Sequence, residues 1–270
     1  MNDPLRLERP FWTDYRALLR AFDGEELPTV AALNRALPPG TTNHLKLPIR
    51  FVPSEKLAGA EYEEHIFRTG QVCTRGNCWH DVFSALVWMR FPQTRSAMNA
   101  LHHRASATAS EVGRGALRDA LTLFDECGVI VAAAGTPDLE NIARHDWVQV
   151  FGRSKKWWAR HKRVFVTGHA MLEKFLAPYK SMTANAVLVK VPQHLMAQPR
   201  EAMRAFLDAA VAERLLAGRL FNAPADLSPL PLMGIPGWWP NGDQDEAFYA
   251  DMGVFRAPPV EPRPAPIFRL

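Results

Sequence analysis

Apolar positions recur at two periods along the chain, and the switches between them mark the elements. Two short amphipathic stretches, near 12–22 and 29–37, make a helical N-terminal region over 1–45 that breaks at Pro38-Pro39-Gly40. KLPIRFVP at 46–53 reads as a short strand. From Trp79 the apolar positions cover most of a helix circumference, and a second helical run follows Phe91-Pro92-Gln93, so 78–108 predicts a buried helical hairpin. Asn77 is the expected cap of its first helix and Thr94 of its second. Residues 119–134 predict a β-hairpin, with ALTLF and VIVAA as strands and Asp125-Glu126-Cys127-Gly128 as the turn. VFVTG at 164–168 is a strand running into the helix HAMLEKFLAPY, and AVLVKVP at 186–192 is another strand. The longest helical pattern, 200–218, stops at Gly218.

Helices outnumber strands and do not alternate regularly with them. The expected class is α+β, predominantly helical with a small mixed or antiparallel sheet. One globular domain over 1–255 is expected, followed by a proline-rich tail at 256–270 that is extended or disordered.

Composition is that of an ordinary globular protein, with 47% hydrophobic and 22% charged residues. The net charge of +4 is compatible with an anionic small molecule or nucleic acid as partner and requires neither. Three cysteines are too few for a disulfide framework. The start, MNDPLRLERPFWTDY, lacks a signal pattern, and no apolar run is long enough for a transmembrane segment, so a cytoplasmic protein is expected.

The order Trp79-His80-Asp81, ALVW at 85–88, Phe91-Pro92, then Asn99 and His102 or His103 carries a resemblance. So do LRDALTLFDECG at 117–128, FVTGHAMLEKFLAPY at 165–179 and PGWWP at 236–240. Together these blocks resemble an uncharacterised bacterial family, domain of unknown function 3025. The resemblance implies no reaction, cofactor or catalytic residue, so candidate chemistry comes from the residues alone.

Histidine at the outer ends of the predicted hairpin is the first candidate. Folding back at Pro92 brings His80 near His102 or His103, with Asp81 and Asn99 beside them. That would make an acid–base pair or a divalent-metal site held by His80, His102 and His103. The blander alternative is a histidine that pins the hairpin with a buried hydrogen bond. His169, at a strand-to-helix junction, is the second candidate, with Glu173 one turn on. Arg118 and Asp119 are candidate substrate contacts, and Trp238 and Trp239, held between prolines, suit a pocket wall or a core plug. Cys73-x4-Cys78-x-His80 is too loose for a zinc knuckle.

RSKKWWARHKR at 153–163 mixes basic charge with two tryptophans, as a nucleic-acid surface would, or as a solvated face over two core rings would. Walker, dinucleotide, serine-elbow and HExxH motifs do not occur. Two functions follow as expectations: a hydrolase with a histidine-centred, metal-dependent site, or a non-catalytic protein binding nucleic acid or a protein through 153–163.

Overall fold

Gly128–Ala133 is buried at every position, so it cannot be a half-solvated edge and must lie inside a sheet covered on both faces. The computed structural model describes residues 5–22, 27–53, 62–106, 114–152, 154–258 and 264–270. The N-terminal part holds α1 (Arg16–Arg20), α2 (Val30–Ala36), β1 (Arg50–Pro53), α3 (Tyr62–Thr69) and β2 (Gln71–Thr74). The helical hairpin follows as α4 (Trp79–Arg90) and α5 (Pro92–Ser106). Then come α6 (Arg114–Cys127), β3 (Gly128–Ala133), α7 (Thr136–Ala143), α8 (Trp147–Phe151), α9 (Lys155–His161), β4 (Lys162–Val166) and α10 (His169–Lys174). The chain closes with β5 (Thr183–Lys190), α11 (Gln193–Met196), α12 (Arg200–Leu216), β6 (Ser228–Pro231), α13 (Glu246–Tyr249) and β7 (Ile267–Arg269).

The class is α+β. In the larger sheet β3 pairs antiparallel with β4 and parallel with β5. The far edge of β5 is shared: Thr183–Ala186 pairs antiparallel with β6, and Leu188–Lys190 pairs parallel with β7. β1 and β2 form a separate parallel pair. One cluster of buried hydrophobic side chains extends from Leu7 to Phe255.

Three local expectations are corrected. Residues 119–134 are not a β-hairpin but the end of α6 running straight into β3. Leu117, Ala120, Leu121 and Phe124 follow helical spacing, the last three are fully buried, and that stripe outweighs the alternating look of ALTLF. Gly128 does mark a break, but of a helix: a Cβ there would lie 2.1 Å from the Phe124 carbonyl oxygen. The tail is not wholly disordered, because β7 satisfies its backbone groups against β5; residues 259–263 lie outside those described. The caps also differ. Cys78 occupies the cap position of α4, with Asn77 before it at φ 58°.

At the start of α5 the cap is supplied from a distance. Thr94 lies inside the helix, and the buried Asp208 of α12 accepts from the N–H groups of Gln93 (3.1 Å) and Thr94 (2.8 Å). On the other side of Pro92, α12 is tied to α4. Glu201 of α12 accepts from Arg204 of the same helix at 2.5 and 3.1 Å and pairs with Arg90 at the end of α4.

The Arg204 hydrogen bond, with help from Arg90 and against some burial, lowers the Glu201 carboxyl from 4.5 to about 2. A depressed carboxyl stabilises the fold above its unfolded value and loses that contribution as pH falls through the folded one. The stability gap between the wild type and Glu201→Gln in urea denaturation is therefore expected to shrink as pH falls from 4.5 towards 2. A gap that stays constant across that window would contradict the assignment.

Candidate functional site: a histidine pair between three helix ends

Two glycines set the site. β4 ends at Val166, and the N–H groups of Thr167 and Gly168 both donate to the Gly128 carbonyl, at 3.0 and 2.9 Å. A Cβ on Gly168 would sit 2.4 Å from the Gly128 nitrogen and 2.6 Å from the Glu126 oxygen, so no side chain fits there. Glycine thus lets the start of α10 touch the end of α6, and His169, the first residue of α10, lands on the last turn of α6. α4 packs against α10 and brings in His80 from its own first turn.

The hydrogen-bond partners fix which ring nitrogens carry protons. His169 Nδ1 lies 2.9 Å from the Asp125 backbone oxygen, which can only accept, so Nδ1 carries the hydrogen. Burial, then the charges of Arg95 and His80, lower the His169 pKa to about 2, so the ring is neutral and its Nε2 bears a lone pair. His80 Nδ1 lies 2.9 Å from Glu173 Oε2, again an acceptor. The two Nε2 atoms then face each other at 2.9 Å, in rings that cross at 77° with centroids 4.4 Å apart. Glu126 Oε1 is 3.7 Å from His169 Nε2.

Two facing lone pairs repel, and a carboxylate beside them adds to the repulsion. A hydrogen shared between the two Nε2 atoms, or a cation bound by both rings, relieves that repulsion. Ligand atoms of His80, Glu126 and His169 all lie within 4.8 Å of one another. Two nitrogens each about 2.0–2.1 Å from one ion stand roughly 2.9 Å apart at a right angle and roughly 3.3 Å apart at a tetrahedral one. The 2.9 Å seen here sits at the short end of that range.

The pair opens on a cleft of about 460 Å³. Two of its cations are already matched. Buried Arg95 of α5 pairs with Asp125, reaches Ser84 Oγ at 3.4 Å and lies over the Trp88 ring at 5.4 Å. Arg75 grips Asp81 with two guanidinium contacts of 3.1 and 2.8 Å and a backbone N–H at 2.6 Å. Burial works to raise the Asp81 carboxyl, but the Arg75 bonds together outweigh it and hold it low. His102, on the same cleft, is lowered by burial; Glu63 opposes this, and Arg95 and Arg118 add to it.

The structure gathers some candidates and scatters others. His80, Asp81, His102, Arg118 and His169 line one cleft, and Glu173 bonds to His80 from behind. His80 and His102 do share the cleft wall, but the hydrogen-bonded partner of His80 is His169 rather than His102 or His103. α4 contacts α5 and also packs on α10, which carries His169. His103 instead stacks on Phe67, with centroids 4.1 Å apart, and is not among the clustered ligands. Asn99 is buried and donates at 2.7 Å to both the backbone and the carboxylate of Glu63. Asp119 is exposed on α6 and does not line the cleft. Trp238 is buried against Phe11 and Phe175, and half-buried Trp239 packs on Phe248, so the pair closes the core away from the cleft. Cys73 lines the cleft and Cys78 lies 3.8 Å from Asp81 Oδ1, but neither joins His80 in a ligand cluster among the described residues.

Arg95, Asp125 and Glu126 are the site residues that sequence reasoning missed. Reading 125–128 as a turn hid the signal, which was the helical spacing of Arg118, Thr122, Asp125 and Glu126.

In the basic segment, Arg153 lies outside the described residues. Trp158 is buried against Phe151, and Trp157 stacks on His161 with centroids 4.1 Å apart. Buried Lys162 pairs with Asp138 at 2.8 Å and lies over both indoles. Lys155, Lys156 and Arg160 remain exposed.

Fold and cleft together define an α+β protein with a histidine–carboxylate centre at the meeting of three helix ends. The chain belongs to the family described as Protein of unknown function (DUF3025), whose model matches residues 49–258, a span that contains His80, Glu126, His169 and Glu173. Neither a curated protein nor a solved structure matches the chain. No helix among the described residues is long and apolar enough to cross a membrane.

Removing Arg95 would leave the Asp125 carboxylate, 15% exposed, without its cation. Arg95→Ala is expected to cost roughly 3–5 kcal/mol in urea denaturation, as when one partner of a buried ion pair is lost. A loss under about 1 kcal/mol, the range of a surface pair, would show that Arg95 does not hold the α6 end.

Proposed function

We propose that the protein is a metal-dependent hydrolase whose ion is held by His80 Nε2, His169 Nε2 and a Glu126 carboxylate oxygen. One observation carries the reading: both Nδ1 atoms are committed to acceptors, which leaves both Nε2 atoms, 2.9 Å apart, beside a Glu126 carboxylate oxygen with all three within 4.8 Å of one another. Metal-bound histidines are held in this way, with the second nitrogen donating to a carbonyl or carboxylate that fixes the tautomer and raises ligand basicity. His80, His169 and Glu126 would hold the ion at the edge of the cleft, and a metal so held would supply an acidified water and a Lewis acid for a scissile group. Glu173 serves as the positioning residue for His80, and the Asp125 carbonyl for His169. His80 and Glu126 are partly exposed, which gives substrate a route to the centre.

An anionic small molecule is the favoured partner. The ring contacts of Trp157 and Trp158 weigh against base stacking by 153–163, so among the described residues the nucleic-acid reading rests on Lys155, Lys156 and Arg160. A cytoplasmic setting is supported by three cysteines that stay free thiols.

Elemental analysis of natively purified protein is expected to give close to one equivalent of zinc, iron or manganese. His80→Ala and His169→Ala should lose it, and Glu173→Gln should bind it about 10- to 100-fold more weakly. Absence of metal from the native protein, with no uptake at micromolar concentration, would overturn the proposal. His80 would then be a structural residue that bridges Glu173 and His169 and pins α4 to α10.

A further inference from the structure

The charges around the cleft do not all cancel locally. Arg75 is matched by Asp81 and Arg95 by Asp125, while Glu63 is bonded by Asn99. Arg118 also lines the cleft, yet among the described residues it has no carboxylate within ion-pair distance. It stands on the same helix as Glu126, eight residues earlier, on the stripe that continues through Thr122 and Asp125. A rise of 1.5 Å per residue separates the two along the helix axis by roughly 12 Å. Thr122 lies between them with its hydroxyl hydrogen committed to the Arg118 carbonyl at 3.0 Å, so its oxygen offers only an acceptor to the cleft. His102 is on the cleft wall too, and burial favours its uncharged form.

The histidine pair therefore lies at the C-terminal end of α6, and about two turns back along the helix stands a guanidinium that no carboxylate among the described residues matches, whose planar fork suits a carboxylate or phosphate. We infer that the cleft takes an elongated substrate with an anionic group about two helix turns from the group that reacts, and that Arg118 binds that anion and sets substrate length. This rests on the metal-centre reading of His80, His169 and Glu126. Substrate then lies along α6, with its reacting group at the first turn of α4 and its anionic end level with Arg118. A neutral or short substrate would meet only half of the site.

The test uses the full chain loaded with Co2+ and titrated calorimetrically with α,ω-dicarboxylates from succinate to sebacate. One carboxylate occupies the ion and the other reaches for Arg118. Affinity is expected to rise at least about tenfold from succinate to the members whose carboxylates span roughly 10–12 Å, since a charge-assisted fork is gained only there. Arg118→Gln should flatten the series to within about threefold while leaving the visible spectrum of bound Co2+ unchanged. A parallel series ending in a phosphonate reads the phosphate form of the same anion, and an optimum in either series supports the inference. Uniform affinity in both wild-type series, or an optimum that survives in Arg118→Gln, would overturn it. Failure to take up Co2+ at all would sink the metal centre and this inference with it, whereas Co2+ uptake without length dependence sinks the inference alone.

Discussion

Everything at the centre depends on how closely α10 can approach the junction of α6 and β3. A side chain at Gly168 would overlap the backbone of Glu126, Cys127 and Gly128, so the approach exists only because both partners in the contact present bare backbone. The Gly128 carbonyl takes two N–H groups from the incoming chain and closes the contact. Once it is closed, the first side chain of α10 has one place to go. His169 meets the last carbonyls of α6, whose free oxygens are what a helix C-terminus leaves unsatisfied. The sheet contributes indirectly: β3 and β4 are antiparallel neighbours, so the end of one lies beside the start of the other.

The tautomers follow from that placement. A backbone oxygen takes the His169 Nδ1 hydrogen and a carboxylate takes that of His80, which turns two ordinary imidazoles into a pair of opposed Nε2 atoms. Low polarity holds His169 uncharged, with Arg95 reinforcing the effect. Arg95 has a further part, because its pairing with Asp125 anchors the turn that carries Glu126. The hydrogen bonds and ion pairs around the cleft thus act in one direction. They pair Arg75 with Asp81 and Arg95 with Asp125, tie Glu63 to Asn99, and leave the Nε2 atoms, Glu126 and Arg118 on the cleft wall.

Much of the fold was legible because its signals are local. The helical period around Trp79–Arg90, the glycine after α12 and the strands flanking Gly168 and Lys190 are written in stretches of under twenty residues. The candidate site was legible in its parts. His80, His169 and Glu173 stood out as polar groups at element ends, but nothing local says that α4 packs on α10 as well as on α5. α12 holds the start of α5 through Asp208, a contact 114 residues away in the chain that no local pattern announces. The β-hairpin reading of 119–134 had a different origin. Six apolar residues in β3 next to a glycine imitate a strand pair unless the stripe from Leu117 to Phe124 is traced first. That one misreading hid Asp125 and Glu126.

The central claim is that His80 and His169 both carry hydrogen on Nδ1 and offer Nε2 to one ion. Nitrogen-15 NMR of the imidazole rings, recorded before and after addition of Zn2+, addresses it atom by atom. At saturation the account predicts Nδ1–H on both rings and a shift of both Nε2 resonances into the metal-bound range, with the other histidines unmoved. An Nε2–H that persists on either ring under saturating Zn2+, or Nε2 resonances that do not respond, would contradict it.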